Sequence, residues 1–131
     1  MPGAVEMGKD AVPYGEPTYW DERYQTSREK LGPDKYYFDW YCTFEDIWPT
    51  LQTYCGKEMV EATHNVLVIG CGNSRLPELM WAAGFRSITC IDISSTVISH
   101  MQARYVDREG MDFLCMDAKR MDRFPDDQFD L

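Results

Sequence analysis

Apolar positions along this chain follow two different patterns on either side of residue 55. Beyond it, short continuous apolar runs alternate with stretches at helical spacing. Before it, the apolar positions are mostly aromatic. Val66-Leu67-Val68-Ile69 reads as a strand buried on both faces. Leu76, Leu79, Met80 and Ala83 then form the inner stripe of a helix. That helix is capped by Asn73 or Ser74, carries Pro77 in its first turn and stops at Gly84. Residues 87–91 form a second strand. Ser94 or Ser95 caps a second helix, whose inner face is Val97, Ile98, Met101 and Tyr105. A third strand spans 111–116 and ends at Asp117. Pro125-Asp126-Asp127 makes a turn, and Phe129-Asp130-Leu131 opens another apolar run. This alternation predicts an α/β, Rossmann-like fold: the N-terminal part of a doubly wound sheet, with right-handed crossovers and strand order 3-2-1. Strand four is only begun, so the first strand is expected to present an open apolar edge prone to self-association.

Upstream, residues 1–17 hold Pro2, Gly3, Pro13, Gly15 and Pro17 and read as a flexible arm. Thr18 is placed as a helix N-cap with Asp21 in the capping-box position, and Trp20 and Tyr24 share one helix face. The polar stretch 27–34, with Gly32-Pro33, reads as a loop. Phe44, Ile47, Trp48 and Leu51 fall at i, i+3, i+4 and i+7, an amphipathic helix ending near Gly56. Twelve of the eighteen aromatic residues precede residue 55. On composition they read as a satellite core; the competing reading is a lid whose ring faces suit a purine or a sulfonium.

The candidate chemistry sits where the first strand ends. Gly70-Cys71-Gly72 permits a tight turn and close approach of backbone to a ligand, and Asp92 closes the second strand twenty-two residues after Gly70. Arg75 stands where a dinucleotide fingerprint needs its third glycine, which weakens a nicotinamide oxidoreductase. An adenosyl ligand without phosphates needs the turn and the ribose acid but not the pyrophosphate cradle. S-adenosylmethionine fits, with its amino-acid end over the Gly70–Gly72 backbone and its ribose hydroxyls on Asp92. The competing reading is a structural turn of another βαβ protein.

Composition narrows the partners. With 131 residues, 44% of them hydrophobic and 27% charged, the chain supports one domain with a modest core. A net charge of −9 disfavours nucleic acid and is compatible with a basic protein substrate. There is no run of transmembrane length, and no membrane partner is expected. Five cysteines without a CxxC spacing argue against a disulfide framework or a zinc site and point to a reducing cytosol. Cys71 lies in the ligand loop, but no histidine is placed to activate it. His64 and His100 are expected to face solvent.

Five segments in order resemble one known family: Tyr19-Trp20-Asp21-Glu22-Arg23-Tyr24, Phe38-Asp39-Trp40-Tyr41, Val66 through Ser74, Asp92-Ile93-Ser94, and Phe124 through Asp130. The set resembles the eukaryotic methyltransferase-like proteins that include lysine methyltransferases of translation elongation factor 1-alpha. The resemblance implies a seven-stranded class I methyltransferase using S-adenosylmethionine and releasing S-adenosylhomocysteine. It further implies that Trp20, Tyr24 and Trp40 line the donor pocket, which reverses the core reading for those three. Gly70 and Gly72 would face the methionine moiety, Asp92 the ribose and Ile93 the adenine. Asp117 and Ala118 would meet the adenine edge; without the resemblance, Asp117 reads equally well as a turn cap. No catalytic residue is assigned. The resemblance divides the chain into the arm, an aromatic-rich helical lid over 18–56, and a donor-binding core over 57–131. The family's continuation beyond the Phe-Asp pair, with its substrate-side half, is not in this sequence. The alternative is therefore a donor-binding or interaction module without catalysis.

Overall fold

The computed structural model describes residues 11–55 and 64–131. The arm reading for residues 1–10, the helix stop at Gly56 and the lid–core boundary lie outside them. Seven elements follow in order: α1 (Pro17–Leu31), α2 (Phe44–Cys55), β1 (Val66–Ile69), α3 (Leu76–Ala82), β2 (Ile88–Asp92), α4 (Ser95–Arg104) and β3 (Met111–Cys115).

The three strands form one parallel sheet in the order β1-β2-β3. This is the predicted 3-2-1 arrangement of a partial Rossmann-like fold, with helices in the crossovers. Val66 lies opposite Ile88, and Ile88 opposite Met111. Phe85, Ile88, Cys90, Val97 and Met101 are at most 1% exposed and form the centre of the core. Burying each large side chain contributes roughly 1.5–3 kcal/mol. Tyr105 stacks on Phe113 at 5.8 Å and sends its hydroxyl to Glu78 on α3 at 3.1 Å, tying the two crossover helices together.

The last residues start pairing on the far side of β1. Leu67 N–H donates to Leu131 O at 2.8 Å, and Leu131 N–H donates to Asn65 O at 3.3 Å, a parallel pattern. Strand four thus begins beside strand one, as the doubly wound order requires. β1 itself is less buried than its apolar run suggests. Only Val66 is fully buried, and Ile69 is 55% exposed. β2, flanked on both sides, buries four of its five residues. The difference is positional: an inner strand has neighbours on both edges, and the end of β1 borders a cavity.

α1 departs from its predicted bounds at both ends. Pro17 occupies the first helical position, and the extended residue before it is Glu16, with no side-chain cap; Thr18 lies inside the helix. The helix also continues through Ser27 to Leu31, because Arg28, Glu29, Lys30 and Leu31 are good helix formers. Gly32, at φ +74°, ends it by donating to Arg28 O. α2 matches its predicted stripe. A reciprocal pair opens it: Thr43 N–H to Asp46 Oδ2 at 2.8 Å and Asp46 N–H to Thr43 Oγ1 at 3.4 Å. Among the described residues no helix is long and apolar enough to cross a membrane.

Candidate functional site

The three strands end around one carboxylate. Asp92, the last residue of β2, is 8% exposed. Gly72 N–H donates to its Oδ2 at 2.9 Å and Ser94 N–H to its Oδ1 at 3.0 Å. Its carbonyl accepts from Met116 N–H at 2.9 Å. The loops after β1, β2 and β3 therefore hang from a single residue. An ionised carboxylate offers about four lone-pair sites, and the two backbone donors leave acceptor capacity for hydroxyls.

The glycines are required by conformation. Gly70 sits at φ +66° and Gly72 at φ +47°, where side chains are strained. A β-carbon on Gly70 would project into open space beside the cavity, so a ligand can approach that backbone closely. A β-carbon on Gly72 would lie 2.5 Å from the Tyr24 hydroxyl. The second glycine therefore admits a protein side chain from α1.

Polar contacts fasten the N-terminal segment over these loops. Asp21 Oδ1 accepts from Ser94 Oγ–H at 2.6 Å and from Thr96 N–H at 3.0 Å. It caps α4 rather than its own helix, while Ser94 completes the cap by accepting from Val97 N–H. Asn73 donates its amide to Tyr36 O, and Ser74 donates its hydroxyl to Asp39. Asn73 and Ser74, expected as caps of α3, instead hold the 36–39 segment; Arg75 stands at the cap position without a side-chain bond. Ser74 still accepts from Leu76 N–H at 3.0 Å.

Between the strand ends and this segment lies a cavity of about 530 Å3, within the usual range for small-molecule sites. Eight of the nine residues expected at a donor site line it: Trp20, Tyr24, Trp40, Gly70, Asp92, Ile93, Asp117 and Ala118. Gly72 lies beside it, in an adjoining cavity of about 330 Å3 that shares Tyr24, Trp40 and Gly70 with the first. Asp117 also accepts from Lys119 N–H at 2.9 Å, so the turn-cap reading and the cavity position hold together. The sequence reading missed Tyr14, Tyr41 and Met116. Tyr14 stacks on Trp20 at 5.7 Å, and its carbonyl accepts from Trp20 Nε1–H at 2.8 Å. Neither contact leaves a periodic signal. Met116 could have been found as the neighbour of Asp117 at a strand end.

Burial and neighbouring groups keep the Tyr24 phenol and the Cys71 thiol protonated. Burial, with the nearby Asp92 charge, pushes the Tyr24 phenol well above its ordinary value. The hydrogen-bonded Cys90 thiol and burial push the Cys71 thiol far up, so it is not an activated nucleophile. Burial opposes ionisation of Asp21, but the bonds from Ser94 and Thr96 outweigh it and hold its carboxyl below the usual range. His100 is half-buried rather than solvent-facing: its Nδ1 lies 3.1 Å from the Tyr36 hydroxyl. Among the described residues no cluster of three or more His, Cys, Asp or Glu is placed to hold a metal.

A family model described as "Methyltransferase domain" matches residues 67–131. The chain is 35% identical over 124 residues to the Bos taurus protein named eEF1A lysine and N-terminal methyltransferase, covering 94% of this chain and 16% of that one. The Drosophila melanogaster homolog of that protein is 33% identical, over 94% of this chain and 17% of that one. The Mus musculus EEF1A lysine methyltransferase 4 is 30% identical over 126 residues, covering 96% of this chain and 45% of that one. The chain thus spans less than half the length of these relatives.

Proposed function

This chain belongs to the methyltransferase-domain family, and from that premise we propose that it is the donor-binding part of an S-adenosylmethionine-dependent protein-lysine methyltransferase. Residues 18–56 act as its aromatic lid and 57–131 as its donor-binding core. The observation that carries the reading is Asp92: a nearly buried carboxylate at a strand end, held by two backbone donors, beneath a cavity walled by Trp20, Tyr24 and Trp40.

The residues present fit the donor. The spare acceptor capacity of Asp92 suits the ribose hydroxyls, and the open space at Gly70 suits the methionine end. Ile93, Asp117 and Ala118 edge the region for the adenine, and Gly72 makes room for Tyr24. When bound, S-adenosylmethionine supplies a methyl group on a sulfonium. This chain's residues bind and orient it, and the aromatic roof excludes water; alignment of the two reactants is most of the catalysis in such a transfer. The names of the relatives support a protein substrate of the elongation factor 1-alpha type. A cytosolic setting belongs to the same proposal, supported by Cys42, Cys71, Cys90 and Cys115, which are free thiols.

Calorimetric titration with S-adenosylhomocysteine tests the reading. The chain is expected to bind it, and Asp92→Ala to lose roughly 1.5–3 kcal/mol per hydrogen bond removed. Equal affinity in the parent and a folded Ala variant would overturn the ribose assignment. Binding without methyl transfer to elongation factor would select the donor-binding module over the enzyme.

A further inference from the structure

A separate concavity, of about 300 Å3, lies between α1 and α4 and shares no lining residue with the cavity above Asp92. Arg28 comes from α1, Tyr36 and Tyr37 from the connection after it, and His100 and Arg104 from α4. Two guanidinium groups facing one hollow are notable in a chain of net charge −9. Neither is strongly committed. The Arg28 side chain makes no hydrogen bond or ion pair among the described residues. Arg104 lies 4.4 Å over the Tyr37 ring and 3.8 Å from Asp34, whose side chain is 93% exposed; such a solvent-facing pair is weak.

The Tyr37 ring beneath Arg104 forms part of the wall. His100, fixed by Tyr36 at 3.1 Å, sits close enough to Arg28 to feel its charge: burial, then Arg28, lower its pKa.

We propose that this hollow binds a small phosphate-bearing anion between Arg28 and Arg104. Donors approach from two helices, Arg28 from α1 and Arg104 from α4. A tetrahedral phosphate presents acceptors in several directions, whereas a carboxylate presents two in one plane. The volume accommodates phosphate with a small organic group attached.

The test uses the whole chain and inorganic phosphate at fixed pH and ionic strength. The chain holds two histidines, His64 and His100, so imidazole resonances in NMR separate into two sets. The His100 signals are expected to move and saturate while those of His64 stay in place. Arg28→Gln and Arg104→Gln should each weaken phosphate by roughly tenfold, the loss of one charge-assisted contact. A shift that never saturates, or that both histidines share, overturns the site. So does a folded Arg28→Gln chain with unchanged phosphate affinity. Acetate moving His100 as strongly as phosphate overturns the phosphate assignment.

Discussion

The floor and the roof of the cavity above Asp92 are held by different forces. The floor is β1, β2 and β3 with α3 and α4: parallel ladders over a core in which Phe85, Cys90 and Val97 are fully buried. The roof is α1 with its flanking segments from Tyr14 to Tyr41, where Tyr14, Phe38 and Trp40 are about half exposed and Tyr41 is 97% exposed. Tyr24 and Tyr36 anchor the roof in the core, but apolar burial alone secures little else of so open a layer. A few polar contacts do so instead: Asp21 on Ser94 and Thr96, Asn73 on Tyr36, and Ser74 on Asp39. A site that must admit a ligand is thus built from a rigid body and a fastened cover, and the two should fail differently.

Truncating the floor should have the largest effect. Phe85→Ala is expected to cost about 3–5 kcal/mol, read as a lower denaturation midpoint at unchanged slope. A loss under about 1 kcal/mol would mean that the floor is not the close-packed body described. Gly72→Ala probes the junction of the two layers. Strain at φ +47° and the clash with Tyr24 should together cost about 1–3 kcal/mol. Tyr24→Phe removes the clashing oxygen, so Gly72→Ala should cost less in that background, and a double-mutant cycle measures the difference. An identical cost in both backgrounds would place the penalty in the backbone alone.

The smallest effect should come from the fastening. Asp21→Ala is expected to cost about 1 kcal/mol, the usual value of a lost helix cap. It should also alter the pH dependence of stability. Asp21 has a lowered pKa when folded, so its contribution is complete above the unfolded carboxylate value, about 3.9, and is lost as pH falls through the folded value. The stability gap between parent and variant should stay constant at neutral pH and close on acidification. A gap that persists at low pH would show that uncharged contacts hold the roof.

The same division explains what the sequence made legible. Strand positions, α2 to α4, the positive-φ glycines and Asp92 follow from local rules of period, conformation and spacing, and the folded chain obeys them; the polar stretch 27–34 reads as a loop and is helical to Leu31. The misreadings were polar residues with distant partners. Asp21 was assigned to its own helix and bonds residues 73 and 75 positions away; Ser74 was assigned to α3 and also bonds Asp39, 35 positions back. His100 was placed in solvent, and its partner Tyr36 is 64 positions away. Capping rules inspect near neighbours, and a hydroxyl or carboxylate is satisfied equally well by a remote one. The strand-end residues of the cavity were readable because the sheet fixes where strands stop. Tyr14 was not, because only the folded position of Trp20 gives it a role.

The span between Asp21 and Thr96 also sets an order of events in time. During synthesis α1 emerges before α4, and the residues that Asp21 must bond emerge 73 and 75 positions later. An isolated helix of 15 residues is marginal in water, so the nascent α1 frays with its rings uncovered until α4 exists. Closing so long a loop adds little entropy beyond that of a shorter one; the delay comes from translation, not from the closure itself. The cavity is therefore expected to close late, and a chain stalled before α4 would have aromatic side chains and no place to put them.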